Sequence, residues 1–97
     1  MCKTEWKMVT EHAATGRRAF QRTARFEHTG NNEGTMEDDI KVVDADGTVL
    51  LETTMEIDWE YFGSISVAFS EDGGSVVVTG SDGQSDHHEL APPARPG

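Results

Sequence analysis

Residues 40–59 read IKVVDADGTVLLETTMEIDW, and this stretch decides the fold class. Two runs rich in β-branched and large apolar residues flank Asp44-Ala45-Asp46-Gly47-Thr48, a short loop with glycine where a left-handed backbone is needed. That is the pattern of a β-hairpin. Along its return strand Val49, Leu51, Thr53, Met55, Ile57 and Trp59 point one way, and Leu50, Glu52, Thr54, Glu56, Asp58 and Glu60 the other. A slip of one residue would bury the four carboxylates Glu52, Glu56, Asp58 and Glu60, so the register is strongly specified.

Working outward, residues 64–80 (SISVAFSEDGGSVVVTG) repeat the pattern, with Ser70-Glu71-Asp72-Gly73-Gly74 between two short apolar runs. Upstream, residues 3–12 alternate weakly and residues 13–16 (AATG) read as a turn. Residues 17–28 (RRAFQRTARFEH) are expected to be a strand, because Phe20 and Phe26 share a face only in a strand. That reading sets Arg22 on the aromatic side, and a short helix within residues 13–28 is the alternative. Gly30, Asn31, Asn32 and Gly34 mark a loop. The expected fold is therefore all-β, an antiparallel meander of about five to six strands near residues 3–12, 17–28, 37–44, 48–59, 64–70 and 75–80. Such a sheet must curve, close into a small barrel or find a partner to cover its apolar face. Residues 1–80 form the single β domain of this reading. Residues 81–97, acidic and then Pro-rich, form a flexible C-terminal tail.

Charge is unevenly spread over the 97 residues. Residues 1–26 hold six Lys/Arg against two acids, a net +4; residues 27–97 hold two against sixteen, a net −14; together they give the chain's −10. A general nucleic-acid binder carries a broadly basic footprint, so direct nucleic-acid binding is not expected. Excess acid fits either plain solubility or a partner with a basic surface. No apolar run approaches the roughly 20 residues of a membrane span, and a lone Cys2 offers no internal disulfide. Both features point to the cytoplasm.

Candidate chemistry is sparse. With Gly47 as the invariant glycine of a calcium loop, Val42 and Thr53 fall where the outer ligands belong, so residues 44–48 read as a turn rather than an ion cage. In residues 86–89 (DHHE) adjacent histidines on an extended chain point apart, which disfavours a metal site. Cys2 with His12 or His28 would need preorganisation that a chain terminus lacks. No enzyme, cofactor or metal is expected. The aromatic concentration is residues 59–63 (WEYFG), with Trp59 and Tyr61 assigned to the apolar side.

The expected function is a non-enzymatic inhibitor or binding protein. Its acidic strand face would occupy a basic, nucleic-acid-binding surface of a protein partner. The expected contacts are Glu52, Glu56, Asp58 and Glu60, with Trp59 or Tyr61 as anchor, and Glu37, Asp38 and Asp39 as a second patch. By analogy of size and charge alone, phage-type inhibitors of bacterial defence, anti-CRISPR proteins among them, and immunity proteins use this nucleic-acid-mimic strategy. The alternative is a self-associating structural module, in which a homodimer covers the thin core.

Overall fold

The computed structural model describes residues 3–92. Cys2 and Arg95, with the rest of residues 93–97, lie outside it. Seven strands follow one another: β1 (Lys7–His12), β2 (Arg17–Gly30), β3 (Glu33–Val43), β4 (Val49–Glu60), β5 (Ile65–Phe69), β6 (Ser75–Gly80) and β7 (Ser85–Glu89). Every pairing is antiparallel and between chain neighbours. β1-β2-β3-β4 form one sheet and β5-β6-β7 another, packed face to face. The fold is thus the all-β meander that the hairpin signals imply. It differs in detail: there are seven strands, they split into two sheets instead of closing into a barrel, and residues 17–28 are strand, with no helix among the described residues.

Three turns share one build. Gly47 N donates to Asp44 O (2.9 Å), Gly73 N to Ser70 O (3.0 Å) and Gly83 N to Gly80 O (3.1 Å). Those glycines have φ of 91°, 72° and 97°, where a Cβ would clash with the backbone. In each turn the preceding aspartate accepts from the next amide: Thr48 N to Asp46 (2.9 Å), Gly74 N to Asp72 (2.8 Å) and Gln84 N to Asp82 (3.1 Å). The third turn carries the chain into β7, where the composition of residues 81–97 suggests only a tail. The same D-G signal that marks the first two hairpins is present at Asp82-Gly83.

The stretch read as a loop after His28 is also strand. β2 and β3 pair almost to their ends through the tight turn at Asn31-Asn32, with Asn32 at φ 61°. Asparagine tolerates this conformation because its short side chain can satisfy the backbone locally.

A bulge in β2 settles the position of its aromatic residues. Thr23 pairs with Asp38 and Arg25 with Glu37, leaving buried Ala24 as the extra residue. One extra residue reverses the alternation. Phe20, opposite Lys41, lies on the outer face, whereas Phe26, opposite Met36, enters the core. The two phenylalanines do not share a face, and Arg22 is free to point outward.

The main core cluster joins Met36, Ile40, Met55, Ile57 and Trp59 of the first sheet to Ile65 and Val78 of the second. A second cluster holds Ala19, Val42, Val76 and Leu90. Beside it lies fully buried Arg17, which donates to Gly73 O (2.7 Å) and to Ala91 O and sits 3.6 Å from Asp44. One guanidinium thereby links the first sheet, the β5–β6 turn and the segment after β7. Its planar fork of donors suits several carbonyls at once.

Candidate protein-binding site

β4 keeps the parity its sequence implies over its second half. Met55, Ile57 and Trp59 are buried, and Glu52, Thr54, Glu56, Asp58 and Glu60 are exposed. Val49, on the apolar side by parity, is exposed at the strand's start.

The outer face of the four-stranded sheet is not a uniform acidic surface. Asp39 is only 7% exposed and is engaged by Arg22 (2.9 Å), Lys3 (3.0 Å) and the Thr54 hydroxyl (3.0 Å). Burial acts to raise its carboxyl, but these three donors outweigh that effect and hold it below the usual carboxylate range. Glu37 and Glu56 face each other across β3 and β4, an unfavourable like-charge pair. Arg25 bridges them, 3.6 Å from Glu37 and in direct contact with Glu56. Farther along, Trp6 lies beneath Arg22 (4.2 Å) and Lys41 (4.4 Å). Much of the basic N-terminal third is therefore folded onto the acidic strands.

Asp38, expected on the acidic patch, is not on the outer face. It is 5% exposed, on the side of β3 that faces the second sheet, where Gln21 Nε2 donates to it (2.6 Å) and also to Ile65 O (2.8 Å). Desolvation raises its carboxyl, hydrogen bonds from Gln21 and Thr23 oppose the rise, and neighbouring Asp39 adds to it. The expected second patch of Glu37, Asp38 and Asp39 is thus two buried carboxylates and one bridged glutamate. The β2 bulge that turns Arg25 to this face leaves no periodic trace in a single sequence.

Beyond Arg25 the outer face changes character. Glu33 and Glu60 pair directly across the strands, with Asp58 two residues back and Asp82 reaching in from the β6–β7 turn. No cation among the described residues bridges them. Together with Trp59 and Phe62 they line a cleft of about 500 Å³.

The chain leaves β4 through a tight turn. Phe62 N donates to Glu60 O (2.8 Å) around Tyr61, whose φ is 68°, and Tyr61 N donates to Asn32 O. This three-residue turn is a strained conformation for a bulky side chain. It breaks the parity that would bury Tyr61: Tyr61 is 74% and Phe62 73% exposed. Trp59 alone goes inward, 6% exposed and stacked on Phe26 with ring centres 5.1 Å apart. Gly34, its cross-strand partner, and Gly63 make room for this side chain; a Cβ on Gly34 would lie 2.6 Å from the indole ring, and one on Gly63 2.7 Å from the Trp59 Cβ. Trp59 is a core residue, and the exposed aromatic pair is Tyr61 and Phe62.

Of the residues singled out from sequence, Asp58, Trp59 and Glu60 line the cleft, and Tyr61 follows them in the turn that ends β4. Glu52 lies at the far end of β4, opposite Lys41, and Glu56 is held by Arg25. Sequence reading misses Glu33, Phe62 and Asp82. The signals available were the Asn31-Asn32 turn, which starts β3 earlier, and the third D-G turn. Among the described residues no three His, Cys, Asp or Glu side chains converge as metal ligands would. Comparison with family models, curated proteins and solved structures gives no match, so the site is read from its geometry alone.

Proposed function

We propose that the protein is a non-enzymatic binding module whose acidic, aromatic-tipped end occupies a basic surface of a protein partner, of the kind that binds nucleic acid. The observation that carries this reading is the left-handed turn at Tyr61. It presents two large rings to solvent at the end of the outer face where, among the described residues, the opposed carboxylates stay unbridged. Backbone strain, exposed aromatics and like-charge pairs each cost stability, and their concurrence at one place is what a binding surface tolerates. In the bound state Tyr61 and Phe62 would supply apolar anchor area, while Glu33, Asp58, Glu60 and Asp82 pair with Arg or Lys and steer association.

Affinity capture from a lysate tests the reading, comparing wild type with Tyr61→Ser/Phe62→Ser and with Asp58→Lys/Glu60→Lys. The expected result is a captured nucleic-acid-binding protein that is lost with either variant, released by salt and displaced by its own nucleic acid. Capture of the same proteins by wild type and both variants at every salt concentration would overturn it.

A further inference from the structure

We propose that β7 is a self-association edge, on which a second copy of this chain adds its own β7 about a two-fold axis to form a continuous sheet in the order β5-β6-β7-β7-β6-β5. The proposal is independent of the partner reading above.

Elimination comes first. An edge strand offers unpaired backbone groups to any matching strand unless a bulge, a cap or a covering segment blocks it. On β4, Gln84 Nε2 donates to Glu56 O (2.8 Å) and Asp82 accepts from Asp58 N (3.4 Å), so the β6–β7 turn caps that edge. On β5, Ile65 O is taken by Gln21. β1 is interrupted by a bulge between Met8 and Thr10. Among the described residues β7 pairs with β6 alone, in unbroken register, and its outer edge carries no bulge, proline or lysine.

The hydrogen-bonding pattern then fixes the register. Leu90 N donates to Gly74 O and Gly80 N to Gln84 O, at the two ends of the β6–β7 ladder. Bonded and non-bonded pairs alternate along an antiparallel ladder. The bonded pairs between those ends are therefore Val76 with His88 and Val78 with Asp86. Ser85, His87 and Glu89 turn their amides and carbonyls away from β6. Two copies set antiparallel about His87 match every one of these groups, His87 with its own copy and Ser85 with Glu89 at both ends.

The same register is complementary in its side chains. SDHHE places Asp86 of each copy directly opposite His88 of the other, in the closely spaced non-bonded pairs where side chains meet. His88 Nε2 is buried and has no hydrogen-bond partner among the described residues, so pairing with the carboxylate across the axis requires the ring to turn out toward it. Like-with-like pairing occurs only at the central His87.

Sedimentation from micromolar to millimolar protein tests the proposal. Wild type should approach twice the 10.6 kDa mass of the chain. His87→Pro removes two amide donors at the axis while sparing the β6 pairing, because that amide faces outward. It should stay monomeric, with an unchanged circular dichroism spectrum. His88→Asp sets carboxylates opposite each other and should weaken association about tenfold. Adding Asp86→His to it restores opposite pairs and should recover affinity to within about threefold. A wild type that remains monomeric at millimolar concentration would overturn the proposal. So would a His87→Pro variant that dimerises like wild type, or a double variant no better than His88→Asp.

Discussion

The middle and one end of the outer face of the four-stranded sheet are built from the same strands and carry the same kinds of acid, yet they differ in what surrounds them. At the middle of the sheet, Asp39, Glu37 and Glu56 meet Arg22, Lys3 and Arg25. At the end near the β2–β3 turn, Glu33, Asp58 and Glu60 meet no cation among the described residues, and the chain turns two aromatic rings outward beside them. The difference teaches that a row of carboxylates on a strand is not itself a surface property. Whether it is neutralised depends on which neighbouring strand brings arginine to the same height. In this chain a single bulge at Ala24 sets it for Arg25.

The comparison breaks most decisively at the aromatic residues. Trp59→Ala should cost about 3–5 kcal/mol in denaturant unfolding, as removal of a buried aromatic does. Tyr61→Gly, two residues on, should be neutral or stabilise by up to about 1 kcal/mol, because it relieves the left-handed strain and removes no packing. Equal losses at the two positions would place Tyr61 in the core.

A smaller effect separates Thr54 from its neighbours on the exposed face. Its hydroxyl serves buried Asp39, so Thr54→Ala should cost about 1 kcal/mol. A typical exposed strand position should lose under about 0.5 kcal/mol.

Charge changes should have opposite signs at the middle and at the tip. Arg25→Ala leaves Glu37 facing Glu56 and should destabilise by about 0.2–1 kcal/mol, more at low salt. Glu60→Gln removes repulsion from Glu33 and should stabilise by a few tenths, about 0.3 kcal/mol. A loss from Glu60→Gln would mean that the tip is held by an interaction as yet unseen.

The smallest and most discriminating test is pH. Asp39 has a depressed carboxyl, so its stabilising contribution is present above the ordinary aspartate range and disappears as pH falls through the folded value. Asp38 has a raised carboxyl, so its contribution is full below the ordinary range and is lost as pH rises through the folded value. At neutral pH, Asp39→Asn should therefore lower the melting temperature and Asp38→Asn should raise it. Both differences should shrink in acid, where the wild-type carboxyls are protonated. The aspartates of the three shared turns, all depressed, should add to acid sensitivity: Asp46 through the Thr48 amide, Asp72 through the Gly74 amide and Asp82 through Gln84.

Local chemistry in the sequence determined the β class, the turns at Gly47 and Gly73, and the inward row Met55, Ile57 and Trp59. Each of these is encoded within a few consecutive residues, by a glycine that must turn left-handed or by a period of two. By the same logic β7 and the early start of β3 were legible, in Asp82-Gly83 and Asn31-Asn32, but weak apolar content hid them. Only the tertiary structure decided which face Phe26 and Arg22 take, that Asp38 and Asp39 are buried, and that Tyr61 and Phe62 are exposed. A bulge shifts everything beyond it by one place, and a three-residue turn ends the alternation altogether. Neither leaves a periodic signal, and the contacts they allow come from residues distant in the chain: Asp38 with Gln21, Asp39 with Lys3 and Arg22, and the turn at Tyr61 with the carbonyl of Asn32.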